Sequence, residues 1–249
     1  MFLSTSFNKT FIHNEYVSLL QKQNSFTMIN ISVSSVIAQN CPDLQIGVIE
    51  ANACNSLTPE RLWNELQEEA SRIASEYTTA SLTQRPAISA TRQAYRCFGK
   101  DPARYRVSSE ALCRRAIRGL ELYRINTLVD LINIVSMHSG YSIGGFDADC
   151  IKGNLTLGVG QADDIFHGIG RGALNIEGLP VYRDNIGGIG TPTSDEERTK
   201  MTLETKHILI CINAYAIEMP LEDCLSYTSQ LLTQYAFATD ISSRIIHAN

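Results

Sequence analysis

Three polar residues follow one line along an otherwise apolar segment. Asn126, Asp130 and Asn133 stand at i, i+4 and i+7 within residues 125–140, the spacing of one face of a helix. The segment is apolar on nearly every other side, so we predict a buried helix. Buried amide and carboxyl groups need hydrogen-bond partners, because each unpaired group costs about 1–3 kcal/mol. The line therefore predicts either a structural network that fastens neighbouring loops or a pocket wall that offers polar groups to a ligand.

A second candidate is the glycine-rich stretch RDNIGGIGTPTSDEERTK, residues 183–200. Gly187, Gly188 and Gly190 permit a close approach of the backbone to a ligand, and Asp195 and Arg198 follow them. The chain has no GxxxxGK[ST] motif, and a Thr-Pro-Thr turn stands where a dinucleotide fingerprint needs another glycine. Long loops between buried strands often bind ligands. The stretch is therefore interpreted as the lip of a pocket or as a long surface turn, and not as a phosphate cradle.

Other catalytic and metal-binding signatures are absent from the sequence. It contains no GxSxG elbow, and its five histidines are isolated from one another and from the cysteines. The seven cysteines form an odd set without a CxxC pair, which indicates reduced thiols and a cytoplasmic protein. We therefore predict no metal site and no cofactor.

Basic residues are concentrated in one part of an acidic chain. The net charge is −5, yet residues 85–124 contain ten Arg and Lys residues and three acidic residues. Such a segment is typical of a surface that binds a polyanion such as RNA. The alternative is a solvated helical face whose charges pair with acidic neighbours. The candidate RNA-binding residues are Arg92, Arg96, Arg104, Arg106, Arg114, Arg115 and Arg118.

Hydrophobic periodicity predicts the elements that hold these candidates. We expect a helix whose first residue is Pro59 and whose cap is Thr58. Further helices are predicted near residues 88–98, 108–119, 125–140 and 221–237, and strands near residues 31–37, 44–51, 154–160, 207–217 and 241–247. Strands combined with segregated helices indicate the α+β class.

The sequence also predicts how the chain is organised. We expect residues 28–249 to form a single domain. Residues 1–27 are polar and lack the apolar region of a signal peptide, so we interpret them as a flexible or misassigned extension. No apolar run reaches the ~18–20 residues that a membrane span requires.

The segment RINTLVDLINIVSMHSGYSIGGFDADCI, residues 124–151, resembles the B3/B4 domain of the β-subunit of bacterial phenylalanyl-tRNA synthetase. The family pattern is Ile-Asn-x-x-Val-Asp-x-x-Asn followed by Phe-Asp. The matching positions are Ile125, Asn126, Val129, Asp130, Asn133, Phe146 and Asp147. The helical segment 108–119 and the NIGG of the glycine-rich stretch are similar to the family too. The chain looks most like free-standing B3/B4-like proteins, which share the Ser-Asp-x-x-Arg-Thr of residues 194–199.

This resemblance implies a three-layer α+β domain with a β-sandwich of unusual topology flanked by helices. In the synthetase the domain binds tyrosine misattached to the end of the tRNA and directs its hydrolysis. Asn133 falls on the editing-pocket asparagine, and Gly187–Gly188 fall on the glycine loop that faces the amino acid. Two departures are that Gly144 stands where the family has a histidine, and that residues 208–212 lack the family's glutamate.

Three functions follow from these observations. The first is a hydrolase that edits misacylated tRNA, with water held by Asn133 and the glycine loop and with Asp130 or Asp147 orienting the pocket. The second is a non-catalytic module that binds tRNA or a free amino acid. The third is a small-molecule enzyme that reuses the pocket. A complete synthetase is not expected from this sequence. The candidate ligand-binding residues are Asn126, Asp130, Asn133, Gly144, Asp147, Gly187, Gly188, Gly190, Asp195 and Arg198.

Overall fold

The structure, a computed structural model, describes residues 28–248, so the predicted extension over residues 1–27 lies outside the described residues. The helices are α1 (Ser35–Asn40), α2 (Glu60–Glu76), α3 (Pro86–Cys97), α4 (Ser108–Ile117), α5 (Thr127–Ser139) and α6 (Leu221–Ala236). The strands are β1 (Ile31–Val33), β2 (Gln45–Asn52), β3 (Ser142–Asp147), β4 (Leu155–Val159), β5 (His167–Gly168), β6 (Gly172–Ala173), β7 (Pro180–Arg183), β8 (Gly188–Gly190), β9 (His207–Ala214) and β10 (Thr239–His247). The predicted α+β class is confirmed.

Two four-stranded sheets form the β part of the molecule. The central sheet has the antiparallel order β10–β2–β9–β3. The outer sheet has the order β1–β4–β7–β8, in which β1 runs parallel to β4. Strands β5 and β6 form a small hairpin. In the central sheet β3 is an edge strand, and one side of its backbone is available to other parts of the chain.

The central sheet is covered on both faces. Ile208 and Ile210 of β9 pack with residues of α2, α5 and α6, whereas Leu209 and Cys211 pack with residues of the outer sheet. This alternation follows from the two-residue period of a strand. It explains why β9 is apolar at nearly every position, since neither face meets water. The arrangement is three layers: helices, central sheet and outer sheet.

Two local predictions differ from the structure. Residues Val36 and Ile37 belong to helix α1 and not to a strand, and the Ser34 hydroxyl caps that helix by accepting the Ile37 N–H. Thr58 does not cap α2, because Pro59 occupies the cap position and the helix begins at Glu60. The Thr58 hydroxyl instead donates to the Asp130 carboxylate.

Within residues 28–248, none of the helices combines the length and the apolar character that crossing a membrane requires.

Candidate functional site

A cavity of about 170 Å³ lies beside the edge strand β3. Its walls come from α4, α5 and β3 and from the chain that follows β8. We call it the inner cavity. Aliphatic side chains dominate the lining, and a few polar groups face them. The lining residues are Ser108, Leu112, Val129, Ile132, Asn133, Ser136, Ile143, Gly145, Asp195 and Met201.

Asp195 is the acidic residue on the wall of the inner cavity. Its Oδ2 accepts a long hydrogen bond of 3.5 Å from the N–H of Gly145, on the open side of β3. No cation forms an ion pair with Asp195 among residues 28–248. Burial raises the pKa of Asp195 to about 7, and the single hydrogen bond offsets only part of that effect. The carboxyl group can therefore gain and lose a proton near neutral pH.

Gly190 makes room for this carboxyl group. A Cβ atom at position 190 would lie 2.7 Å from Oδ1 of Asp195 and 2.6 Å from the ring of Phe146. Both distances are far below ordinary van der Waals contact. The position of Asp195 therefore depends on the absence of a side chain at residue 190.

The polar line on α5 is divided between two roles. Asn126 caps the helix, because its Oδ1 accepts the N–H of Val129 at 3.0 Å. Asp130 is fully buried and accepts the Thr58 hydroxyl and the backbone N–H of Ile125. These two residues form the structural network, and neither lines the inner cavity.

Asn133, by contrast, is half-buried and lines the inner cavity. Its amide forms no hydrogen bond with any residue of the described part of the chain. Of the candidate residues, the structure thus brings Asn133 and Asp195 together in one cavity, although they lie far apart in the sequence. The amide of Asn133, which has no hydrogen bond, and the carboxyl of Asp195, which has no ion pair, can both act on a ligand in this cavity.

A larger cavity of about 480 Å³ adjoins the inner cavity, and the two share Ser108, Leu112 and Asn133. We call it the mouth. Arginines of α4, of its two flanks and of the β5–β6 turn dominate its lining, together with Leu120 and Tyr123. The arginines are Arg106, Arg114, Arg115, Arg118 and Arg171.

Some of the candidate RNA-binding arginines pair with an acidic neighbour. Glu110 is fully buried, and it accepts hydrogen bonds from Arg92 at 2.8 Å and from Arg114 at 2.7 Å. Arg106 lies 3.8 Å from the same carboxylate. For these three arginines the structure gives the acidic partner that the alternative interpretation of the basic segment required.

The other basic residues are not neutralised in this way. Arg115 donates to the backbone oxygen of Glu121, and the side chains of Arg118 and Arg171 form no ion pair or hydrogen bond with the described residues. Arg96 and Arg104 are exposed and lie outside the lining of the mouth. The arginines predicted as one RNA-binding set therefore occupy different surroundings.

The remaining glycines of the predicted lip are not cavity walls. Gly187 closes a turn by donating its N–H to Asp184, at 3.1 Å from Oδ1. Gly188 is buried, and a Cβ atom there would lie 3.1 Å from the side chains of Phe166 and Val181. Of the three glycines, Gly190 alone approaches Asp195.

Two predicted ligand residues instead stabilise local structure. Asp147 accepts the Thr205 hydroxyl at 2.7 Å and lies outside both cavities. Arg198 forms two hydrogen bonds, of 2.9 and 3.0 Å, to the carboxylate of Asp184. The expectation that Asp147 or Asp130 orients the pocket therefore does not fit their positions.

Gly144 lies close to Phe146 and to Asp195. A Cβ atom at this position would lie 2.7 Å from the ring of Phe146, so a side chain there would displace Phe146. The same Cβ position lies 3.6 Å from Oδ1 of Asp195. A carboxyl group from another loop thus stands beside the position at which the family pattern has an imidazole.

Several lining residues were not identified from the sequence. Arg171 lies far along the chain from the basic segment, and Tyr123 belongs to no motif. Gly145 contributes a backbone N–H, which has no signature in the residue type. The place of these residues in the cavities follows only from the fold, in which β3 is an edge strand and α4 packs beside it.

Comparisons with known proteins identify the family of the chain. The model of the B3/4 domain family matches residues 90–219, which is more than half of the chain. All residues that line the inner cavity and the mouth lie within the matched range. A search of curated proteins finds no match.

Among solved structures, the chain is similar to an N-terminal fragment of the phenylalanyl-tRNA synthetase β-subunit from Pyrococcus horikoshii. The identity is 14% and the TM-score is 0.44. The match covers 88% of this chain and 50% of the fragment, so the chain spans about half the length of that fragment.

Proposed function

The chain belongs to the B3/4 domain family, and from this premise we propose that it hydrolyses the ester bond of a misacylated tRNA. The observation that carries the proposal is that Asp195 and Asn133 line one cavity, where Asp195 forms no ion pair and the Asn133 amide forms no hydrogen bond with the described residues. The sequence also resembles the editing domain of the phenylalanyl-tRNA synthetase β-subunit at Asn133.

Asp195 supplies the acid–base chemistry in this proposal. Its carboxylate accepts a proton from a water molecule as that water attacks the ester carbonyl carbon. When the ester bond breaks, the protonated carboxyl returns the proton to the ribose oxygen that leaves. A pKa near 7 suits both transfers at neutral pH, because the group is basic enough to accept a proton and acidic enough to release it.

Asn133 supplies the charge stabilisation. The negative charge that develops on the carbonyl oxygen needs a donor that is already in position. The side-chain amide of Asn133 offers N–H groups, and no other described residue uses them. The amide thereby takes the role of an oxyanion donor.

The inner cavity sets the size of the aminoacyl side chain. Its volume of about 170 Å³ is below the roughly 300–1,000 Å³ of typical small-molecule pockets, which suits one amino-acid side chain. The walls are mainly aliphatic, and the Ser136 hydroxyl already donates to the backbone oxygen of Tyr141 at 2.7 Å. We therefore expect an apolar or aromatic aminoacyl group.

A second function, a non-catalytic module for free amino acids, is favoured by one observation. Asp195 has no cationic partner among residues 28–248, and the α-ammonium group of an amino acid would provide one. In that case the carboxylate binds the ligand and transfers no proton.

Deacylation of charged tRNA separates the two functions. Phenylalanine tRNA charged with tyrosine is compared with the same tRNA charged with phenylalanine, followed by other aminoacyl-tRNAs. We expect selective loss of the misattached amino acid and a loss of rate of roughly 10²–10⁴-fold in Asp195→Asn. Asp163→Asn, the same substitution at an exposed residue, is the control. If no aminoacyl-tRNA is hydrolysed and free amino acids raise the melting temperature, the binding module replaces the hydrolase.

A further inference from the structure

A further cavity, of about 240 Å³, has two cysteines in its wall. Cys41 is the residue that follows helix α1, and Cys97 is the last residue of α3. We call this space the thiol cavity. It shares no lining residue with the inner cavity or with the mouth. Two thiol-bearing side chains thus border one space that the proposed function does not use.

The positions of these cysteines leave room for the two sulfur atoms to meet. Ala90 and Ala94, whose side chains are single methyl groups, form part of the wall on the side of α3. Both cysteines lie at helix ends, which are the parts of helices that fray most readily. A disulfide requires a separation of about 4.4–6.8 Å between the two Cα atoms. The open volume and the helix ends allow the backbone to adjust to that separation.

The two thiols differ in their access to solvent. Both are reduced in the structure, but Cys97 is exposed whereas Cys41 is half-buried. Burial, together with the neighbouring Cys97, raises the pKa of Cys41 to about 11, so Cys41 is protonated at neutral pH. An oxidant in solution therefore meets Cys97 first. Cys41 reacts second, after the sulfur of Cys97 has lost the negative charge that opposes the ionisation of Cys41.

The thiol cavity also has an unused hydrogen-bond donor in its wall. Tyr215 lines the cavity, and its hydroxyl group is buried without a hydrogen-bond partner among residues 28–248. A buried polar group without a partner destabilises the fold. A thiolate accepts hydrogen bonds, so the phenolic O–H is available to a sulfur atom that becomes charged during the exchange of thiols.

We propose that Cys41 and Cys97, which border one cavity from the ends of two helices, form a reversible disulfide by exchange with a small-molecule disulfide such as oxidised glutathione. The thiolate of Cys97 attacks one sulfur of the oxidant, whose S–S bond breaks, and a first small thiol leaves. Cys41 then loses its proton and attacks the sulfur of Cys97, which displaces the second small thiol. Two electrons pass from the protein to the oxidant, and the protons of the two protein thiols end on the two small thiols.

The disulfide joins α3 to the end of α1. Helix α3 also carries Arg92, which donates to Glu110, and Tyr95, whose hydroxyl lies 2.9 Å from that of Thr193 in the lining of the mouth. A bridge at the end of α3 therefore holds in place a helix that supports the mouth. A link between two positions that are distant in the sequence also restricts the unfolded chain, so the oxidised protein should be the more stable form.

The test follows the thiols of the full chain in a series of glutathione buffers, from reducing to oxidising. Free thiols are alkylated, and the protein is then digested with trypsin. Cys41 and Cys54 share one tryptic peptide, residues 23–61, whereas Cys97 lies in residues 97–100. We expect Cys41 and Cys97 to lose alkylation at the same midpoint, and mass spectrometry should find these two peptides linked and lighter by two hydrogen atoms.

Serine variants assign the bridge to its two residues. Cys97→Ser changes an exposed residue and should abolish the linkage. Cys41→Ser should leave Cys97 as a mixed disulfide with glutathione, because no second thiol displaces it. Cys54→Ser, at another exposed cysteine, is the control and should keep the linkage. Oxidation should raise the melting temperature of the wild type and of Cys54→Ser by several degrees and should not raise that of Cys97→Ser.

The outcomes are independent of deacylation, because no readout uses tRNA. If the wild type accumulates glutathione on Cys97 without forming the linkage, the two thiols do not meet and the inference is overturned. A linkage that persists in Cys97→Ser, or that is lost in Cys54→Ser, would assign the bridge to other cysteines and overturn it as well. A linkage found only between two chains, as a dimer on a non-reducing gel, would also contradict a bridge within the thiol cavity.

Discussion

The inner cavity and the mouth adjoin each other, but they differ in the sign, the number and the solvent exposure of their charged groups. The inner cavity holds one carboxyl group among aliphatic side chains, and burial shifts its pKa to about 7. The mouth holds five arginines at its surface, several of them without acidic partners. A buried ionisable group has few neighbours and a strongly perturbed protonation equilibrium, which suits proton transfer. Solvated charges act weakly one at a time and together attract a charged ligand, so they suit binding.

The largest expected effect in the inner cavity, apart from the loss of Asp195 itself, is that of Asn133→Ala. If the amide stabilises the developing oxyanion, its removal should lower the rate of deacylation by roughly 10²–10³-fold. Single-turnover kinetics measure this rate with saturating enzyme. Asn154→Ala, at an exposed position, is the control. An unchanged rate in Asn133→Ala would limit this residue to the shape of the cavity.

The protonation of Asp195 predicts that the stability of the fold decreases over the same pH range in which the proposed activity increases. Its pKa is higher in the folded state than the ordinary value of 3.8, so the folded state holds the proton more tightly. Stability should therefore be lost as the pH rises from about 4 to about 7. Asp195→Asn removes this loss and should stabilise the protein at pH 8 by at most about 4 kcal/mol. Urea denaturation of both proteins at pH 4 and pH 8 measures it, and equal differences at the two pH values would contradict the shift.

Two adjacent glycines of the glycine-rich stretch, Gly187 and Gly188, should differ in how much stability their replacement by valine costs. Gly188→Val pushes methyl groups against Phe166 and Val181 and should cost about 1–3 kcal/mol of stability. Gly187→Val meets no atom within 4 Å and should change the stability by less than about 0.5 kcal/mol. Thermal unfolding of the two variants tests the contrast, which fails if both lose stability equally.

The smallest expected effects on stability distinguish two arginines of the mouth, Arg114 and Arg118. Arg114→Ala leaves the buried Glu110 with fewer donors and should destabilise the fold by about 1–3 kcal/mol. The Arg118 side chain is exposed and forms no hydrogen bond or ion pair with the described residues, so Arg118→Ala should leave the stability unchanged within about 0.5 kcal/mol while it weakens RNA binding. Calorimetry and anisotropy on the same two preparations measure both properties. A fold loss in Arg118→Ala would show that this arginine has a structural partner.

The sequence was most informative where one local period decides the structure. The continuous apolar run of β9 predicted a buried strand, because both of its faces are covered. The helical spacing predicted the helix α5, which begins directly after Asn126 and contains Asp130 and Asn133. It could not distinguish their roles, since the partner of Asp130 is Thr58, which lies 72 residues away along the chain.

Prediction failed where the deciding contact is non-local. Helix α1 was taken for a strand because Val36 and Ile37 favour strands, and the Ser34 cap was not recognised. Asp195 was a candidate because of its glycine-rich neighbours. Its raised pKa depends on burial beside β3, which residue types along one loop do not reveal.

The pH dependence of deacylation in Asp195→Asn tests the central claim most directly. The rate is measured from pH 5 to pH 9 for the wild type, Asp195→Asn and the surface control Asp163→Asn. If Asp195 is the base, the wild-type and control rates rise with pH through about 7 and then level off. The Asp195→Asn rate should be roughly 10²–10⁴-fold lower and should lack that step. A variant that keeps the wild-type rate and pH profile would contradict the assignment of Asp195 as the proton-transferring group.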